Sequence, residues 1–427
     1  MSETLEELDA WLAENWDPEL TVAEWWQRLG SSGWAAPALL TNAYGKGLAR
    51  NDAIAVGNRI VAHGAVAAPG GLGMLLAAPT IAEHGTQEQI DRYVLPIVTG
   101  QQAWCQLFSE PGAGSDLAGL GCKAMKDGDE WIVNGQKVWT SGGQVADMGM
   151  LIERTNPEAP KHQGITWFAC EMHQEGVDIR PLKEMTGRAL FNEVFLSDAR
   201  VPDDATIGGL NNGWAVANTT LMFERSGLGA GGHSAAASAG AGTVIGDLAK
   251  RIGDFVRPAG TPGGGGAMAA GAMTMFKHMA AAAGVQNDPT VRQEMMKLHT
   301  LHEVGRMLAL RLKAEKTAGR DIAGAPNIAK LSMSEIMRQS RDLGLRLAGA
   351  GGMLHAYNSA DRKVLDAATG NPMLAFVTEM ALFAQGPPIY GGTDQVQRNI
   401  LGERALGLPK EPNNDRTMSW SELPKNG

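Results

Sequence analysis

Apolar positions along the chain fall into three regimes. In the first hundred residues they recur at helical spacing: Leu5, Leu8 and Leu12 share one face, and Trp25 and Trp26 sit in a second helical stretch. Thr86 followed three residues on by Gln89 has the form of a capping box. A helix is expected to start there, run toward Tyr93 and stop before Pro96. From about residue 103 the texture changes to strand. Asp127-Gly128 and Asn134-Gly135 are hairpin-turn signals flanking EWIV and then QKVW, which predicts a β-meander. GITWFAC (164–170) and Glu193-Val194-Phe195 add strand-like segments, and Val201-Pro202-Asp203-Asp204 ends the region in turn residues. Beyond about residue 206 helical periodicity returns over 213–225, 291–317 and 327–347. The intervening run GTPGGGGAMAAG (260–271) reads as a flexible surface loop, and after Pro409 the chain turns polar and is expected to trail over the surface.

These changes divide the chain into a helical part (1–102), a β part (103–205), a second helical part (206–410) and a polar tail (411–427). With 427 residues there is enough chain for two or three domains and a large core. A formal net charge of -9 argues against a nucleic-acid binder and against binding to anionic membranes. Three cysteines without a CxxC make a disulfide framework or a zinc site improbable and point to a reducing cytoplasm. The acidic start (Glu3, Glu6, Glu7, Asp9) does not resemble a targeting peptide, and no apolar run reaches the roughly 20 residues that span a bilayer. HExxH, GxxxxGK[ST] and GxSxG are absent, so zinc-protease, P-loop and serine-hydrolase chemistry have no support, and no metal site is expected.

Four segments carry candidate chemistry. In SEPGAGSD (109–116), Gly112 and Gly114 allow close approach of a ligand to the backbone and expose successive N–H groups, while Ser109 and Ser115 add hydroxyls. Such a loop suits a pyrophosphate or the polar edge of an aromatic cofactor; taken alone it is equally a tight turn between helix and sheet. GQKVWTSGG (135–143) ends a strand in Trp139, Thr140 and Ser141, which by themselves could be a core aromatic and edge hydroxyls. PIYGGTDQVQRNI (388–400) places Gly391-Gly392 before a helix N-terminus that Thr393 or Asp394 can cap, a natural seat for a carbonyl or an anion. RLAGAGGM (346–353) is a glycine-rich helix end.

In this order, over about residues 83 to 409, the four segments resemble the acyl-CoA dehydrogenase family. The resemblance implies an α+β multidomain fold: an N-terminal helical domain, a central β-barrel-like domain and a C-terminal four-helix bundle. It implies FAD as cofactor, held by Gln106, Leu107, Ser109, Gly114 and Ser115 on one strand and loop, and by Trp139, Thr140 and Ser141 on the next. In the family the matching Trp packs on the flavin rings and the hydroxyl at the Ser141 position donates toward flavin N5. Thr393 and Gln395 match further cofactor contacts. Arg346 and Gly349 match the loop through which a neighbouring subunit touches the adenine half, although Arg346 stands where Gln is usual. Ser115, Gly391 and Gly392 match positions at the substrate thioester.

The reaction implied is α,β-desaturation of an acyl-CoA to the trans-2-enoyl-CoA, in fatty acid or sterol side-chain metabolism, with an electron-transferring flavoprotein as acceptor. It needs a carboxylate base whose pKa burial has raised. Many members carry that base where this chain has Gly391, which has no side chain to act. A second branch, like isovaleryl-CoA dehydrogenase, carries it earlier, in a segment ending Glu-Arg. Leu221-Met222-Phe223-Glu224-Arg225 matches that segment, so Glu224 is the expected base, with Phe223 and Arg225 at the substrate. Read without the resemblance, Glu224 is far more readily a surface acid of a helix, paired with a nearby Lys or Arg. Glu110 matches a position that supports the loop. The family assembles as homodimers, homotetramers or heterotetramers. The vacancy at Gly391 keeps open a base-deficient partner subunit, and a related flavin oxidase or monooxygenase is the other alternative.

Overall fold

The computed structural model describes residues 2–229, 239–256, 265–320, 322–410, 412 and 415–424. The first helices are α1 (Ser2–Asn15), α2 (Val22–Ser31) and α3 (Arg50–Ala62). An expanded turn at Gly73–Ala77 leads into α4 (Ala78–His84). Next, α5 (Gln87–Gln89) passes through a second expanded turn, Ile90–Val94, into α6 (Leu95–Val98). Thr86 and Gln89 form the expected capping box. The helical run does not stop before Pro96, however. The widened turn upstream leaves Pro96 in the first turn of α6, where its missing N–H is not needed. Leu8, Leu12, Trp25 and Trp26 are fully buried, and the two indole N–H groups donate to Val66 O and Ala67 O at 2.8 and 3.0 Å.

Eight strands follow: β1 (Trp104–Leu107), β2 (Lys123–Asp127), β3 (Glu130–Ser141), β4 (Met148–Arg154), β5 (Ile165–Glu171), β6 (Val177–Leu182), β7 (Phe191–Pro202) and β8 (Thr206–Ile207). Their order is β6-β7-β3-β2-β4-β5-β8, with β1 parallel to β4. Asp127-Gly128 does open a hairpin, since Asp127 pairs with Glu130 and Gly128 takes φ +61°. Asn134-Gly135 does not. β3 continues through it with a register shift between Val133 and Gly135 opposite β7. A Cβ at Gly135 would lie 2.1 Å from Cys122 Sγ, so the glycine serves close packing of β3 on the chain below rather than a reversal.

The last part holds α7 (Gly213–Gly229), α8 (Gly265–Ala282), α9 (Pro289–Thr317), α10 (Ala325–Ala348), α11 (Ser359–Thr369), α12 (Leu374–Phe383) and α13 (Asp394–Ile400). The loop expected over 260–271 is helical from Gly265 onward; 260–264 lie outside the described residues. Alanine is the strongest helix former, and AMAAGAM carries the backbone through the remaining glycines. A continuous core runs from Leu8 through Trp104 and Leu151 to Val216, joining the first helices, the sheet and α7. Phe276, Met295, Leu298, Leu343 and Val377 form a separate core among α8, α9, α10 and α12. Within the C-terminal tail, residues 415–424 lie on the surface but are docked there, with Pro160 and Ser419 bridged.

Candidate active site

Helix α7 is fixed at its start by contact with β5. A Cβ at Gly213 would sit 2.5 Å from the Thr166 carbonyl carbon, and the Asn211 N–H donates to Thr166 Oγ1 at 2.9 Å. Further along, Thr80 Oγ1 bonds Thr220 Oγ1 at 3.1 Å, and the His84 ring meets Thr219 Oγ1 at 2.8 Å. Val216, Thr220 and Glu224 follow at intervals of four, so they share one face of the helix. Val216 and Thr220 are fully buried. Glu224 therefore continues the core-facing stripe with a carboxyl group. Its Oε2 lies 3.5 Å from Gln106 Nε2 on β1. Burial pushes the Glu224 carboxyl above its ordinary value, against the opposing pulls of Gln106 and Arg225. Phe223 packs against the main core.

Arg225, the next residue, is half buried, and burial draws its guanidinium below the usual value. It lines an apolar cavity of about 330 Å³ between α9 and α10, together with Leu308, Leu312, Met333, Met337 and Gly391. Gly391 and Gly392 take φ +62° and +81°, a turn open to glycine. Gln397 Nε2 donates to both of their carbonyls at 2.9 and 3.3 Å, and Asn327 holds the other end of that amide. Thr393 caps α13 by accepting from the Val396 N–H, while Asp394 is buried between Lys330 and Arg338. Gln395 is exposed.

A second surface lies at the far end of β1. The loop after it closes on itself through Glu110 and Ala113, and Val138 N–H donates to Ser109 O at 2.9 Å, which sets the loop against β3. Gly114 and Ser115 are exposed, with open space where a Gly114 Cβ would be. Leu107 is fully buried, leaving only its backbone to meet a ligand. Between Lys137 and Thr140 the register of β3 on β7 shifts, and Trp139 takes φ +62°. That conformation is strained for a bulky residue, by about 1–3 kcal/mol. It turns the indole outward to 60% exposure, edge-on to Phe191, with Ser141 also exposed. Thr140 departs from its expected place: its side chain is fully buried on the opposite side, its Oγ1 without a partner and its carbonyl bonded by Asn192. An outward indole beside two exposed hydroxyls and an open glycine suits a flat aromatic group with polar edges.

Arg346 and Gly349 stand apart from both surfaces. The Arg346 guanidinium is engaged by Glu294 and Thr290 of α9 in its own chain, and Gly349 caps α10 at φ +57°.

Three family models match consecutive stretches of the chain. They are the acyl-CoA dehydrogenase N-terminal domain over residues 2–101, the middle domain over 105–199 and the C-terminal domain over 247–406. The acyl-CoA dehydrogenase IpdE1 of Mycobacterium tuberculosis is 30% identical over 91% of this chain and 88% of its own length. The chain belongs to the acyl-CoA dehydrogenase family. Acyl-CoA dehydrogenase FadE34 of the same organism is 35% identical over 78% of this chain, which spans only 39% of that longer protein. The solved ChsE4-ChsE5 complex from M. tuberculosis has a chain of the same fold, with a TM-score of 0.66 at 26% identity over 96% of this chain and 98% of that one. Among the described residues no cluster of His, Cys, Asp or Glu is placed to hold a metal ion, and no helix is long and apolar enough to cross a membrane.

Beneath the SEPGAGSD loop of this family member lies a buried charge cluster that its sequence did not announce. Lys137 and Glu153 are fully buried, and Lys137 Nζ reaches Glu110 at 2.8 Å, Glu153 at 3.5 Å and Ile152 O at 2.8 Å. Glu110 also accepts from the Gly121 and Cys122 N–H groups at 2.7 and 3.1 Å, whereas the carboxyl oxygens of Glu153 have no hydrogen-bond partner. The only sequence signal was polar: an acid and an arginine ending the otherwise apolar β4. Burial pulls Lys137 down, but the carboxylates outweigh it and hold it above its usual range. Burial likewise raises Glu110, yet Lys137 and the two amides bring it below the ordinary value. Glu153 is left to keep its proton, pushed by burial up to about 8.

Unfolded, Glu153 ionises near 4.5, so stability falls as pH rises from there through about 8. The loss is bounded at roughly 1.4 kcal/mol per unit of pKa difference. Glu153→Gln removes that proton without removing the volume. Its unfolding temperature, measured between pH 6 and 9, is expected to fall less with pH than that of the parent.

Proposed function

We propose that the chain is an FAD-dependent acyl-CoA dehydrogenase that forms a trans-2-enoyl-CoA, with Glu224 as its base. The observation that carries this reading is a carboxyl group on the buried face of α7, raised by burial and set against Gln106 of β1. Cα–H acidity in a thioester is weak, so a base needs a pKa nearer neutrality than a solvated carboxylate has. The ionised Glu224 accepts the α-proton. Gln106 orients the carboxyl, and Arg225 supplies a positive charge beside it without forming a close pair. The Gly391-Gly392 turn ahead of the positive end of α13 suits the thioester oxygen as charge develops on it. Bound flavin supplies the acceptor for the hydride leaving Cβ. Trp139 and Ser141 on β3 and the loop from Ser109 to Ser115 are the residues that would hold it. The apolar cavity beside Arg225 and Gly391 supports a bulky or branched acyl group. We further propose an electron-transferring flavoprotein as the acceptor of the electrons. An oligomer, homo- or hetero-, is favoured by the likeness to a chain solved within the ChsE4-ChsE5 complex.

The test is anaerobic addition of a panel of acyl-CoA thioesters, straight, branched and polycyclic, to the yellow protein. At least one should abolish the flavin absorbance, with the matching enoyl-CoA recovered by mass spectrometry. No bleaching by any thioester sinks the reading. Turnover that consumes oxygen mole for mole assigns the chain to an oxidase or monooxygenase instead.

A further inference from the structure

The described end of the chain, residues 415–424, is strapped to the β region directly behind the candidate cofactor loop. Trp420 N–H donates to Ala159 O at 2.9 Å and Ser421 N–H to Pro157 O at 3.0 Å, so the strap runs beside the segment that links β4 to β5. Its indole lies over the Arg154 guanidinium, 4.8 Å from carbon to ring centre, and Nε1–H donates to Gly119 O at 3.3 Å. A Cβ at Gly121 would meet the same ring at 3.6 Å. Arg154 is itself buried, and its two terminal nitrogens donate to Lys161 O at 2.7 Å, Ala118 O at 2.6 Å and Leu120 O at 3.3 Å. Lys161 in turn pairs with Asp116 at 2.9 Å and with Asp415 of the strap at 2.5 Å.

The bonds from Lys161, Arg154 and the Trp420 indole meet on residues 116–120, the stretch that follows Ser115 without a break. The front of the loop is left exposed at Gly114 and Ser115, while its back is held at Asp116, Ala118, Gly119 and Leu120. The grip runs through a planar cation stacked on an indole, which fixes both position and orientation. An exposed loop with glycines at 112 and 114 has little stiffness of its own. Glu110 and the bond from Val138 N–H to Ser109 O tie down its start, so its exposed tip at Gly114 and Ser115 depends for the rest on the segment that follows.

We propose that Trp420 is a positioning residue. By clamping Arg154 and Gly119 it holds the 109–121 loop in the arrangement that receives the acyl thioester, so the C-terminal strap sets substrate affinity. The role in substrate binding rests on the function proposed above; the clamp itself does not.

The experiment compares wild type, Trp420→Ala, Trp420→Phe and Asp415→Asn as full-length flavin-loaded proteins. Hydrogen exchange of the Gly119 and Leu120 amides reads the clamp without any substrate. Steady-state turnover with the best acyl-CoA reads its consequence. In W420A these amides should exchange about 10-fold faster while strand amides of β4 stay unchanged, since only local opening is affected. KM should rise about 5-fold with kcat within about 2-fold, the pattern of lost binding rather than lost chemistry. W420F keeps a ring over Arg154 and should restore most of both values; D415N should show a smaller shift in the same direction. Exchange unchanged in W420A overturns the clamp. Faster exchange with KM unmoved overturns the positioning role, as does an equal fall in kcat and stability without a rise in KM. Failure of the proposed function shows separately, in wild type alone, as absence of bleaching by every thioester.

Discussion

Glu224→Gln is expected to lower kcat by about 10³-fold while the protein stays folded and yellow, since a positioned base contributes roughly 10²–10⁴-fold. Gln has the same shape, so the stripe Val216, Thr220 and residue 224 still packs, and an amide oxygen can still accept from Gln106. What is lost is the capacity to take a proton. The carboxyl of Glu224 titrates above its ordinary value because burial disfavours its charge. Since the ionised form is the base, the acid limb of the kcat/KM profile should lie above the ordinary carboxylate range in the parent, and the variant should lack it. Stability runs the other way. A buried acid with a raised pKa makes the folded state less stable as pH rises through that pKa, and the Gln variant escapes this. A variant that is dead yet at least as stable as the parent at pH 8 therefore separates a base from a structural carboxylate. Undiminished turnover in E224Q removes Glu224 from the mechanism and returns attention to a partner subunit carrying the base.

Much of this architecture can be read from local patterns, because most elements obey local rules. The leucines of α1, the Thr86 cap and the period of α9 and α10 each predict the element in which they lie. The failures have tertiary causes. Asn134-Gly135 has the best hairpin dipeptide in the chain, but the glycine is used to let β3 pass within contact of Cys122. Pro96 reads as a stop because one-dimensional rules do not foresee an expanded turn upstream. The same divide runs through the site. Glu224 and Trp139 stand out only through the family resemblance; the structure puts the first on the core-facing stripe of α7 and turns the second outward. That Thr140 faces inward follows from a strand irregularity visible only in register, and the clamp from Trp420 to Gly119 joins residues 301 positions apart. Charge clusters are the hardest case: Glu110 and Lys137 lie in segments the sequence marks out, but only the packing of β3 against β4 and the loop pairs them with each other and with Glu153.

That cluster leads to the largest stability effect expected in the molecule. Lys137→Met should destabilise the β region by about 3–5 kcal/mol, the usual consequence of removing one partner from a buried ion pair. The two carboxyl groups would then lose the cation they share, leaving only Arg154, at longer range, to Glu110. Glu110 keeps its two backbone N–H donors from Gly121 and Cys122, so it is the one that stays ionised, while Glu153 must stay protonated to stay buried. The damage should fall first on the loop that Glu110 anchors. Flavin retention is therefore expected to drop before the helical part unfolds, and because the core under the sheet is separate from the core among α8, α9, α10 and α12, a single melting temperature will not describe the loss. The informative measurement is flavin release against temperature at pH 6 and pH 8.5. The parent-to-variant gap should widen at the higher pH, where Glu153 in the parent still has Lys137 to ionise against and in K137M has nothing. Adding Glu153→Gln to K137M should recover stability chiefly at pH 8.5, leaving at pH 6 a residual cost from the unpaired Glu110. If K137M releases flavin at the same temperature as the parent at both pH values, the buried lysine does not hold the loop, and Glu110 anchors it through its backbone bonds alone.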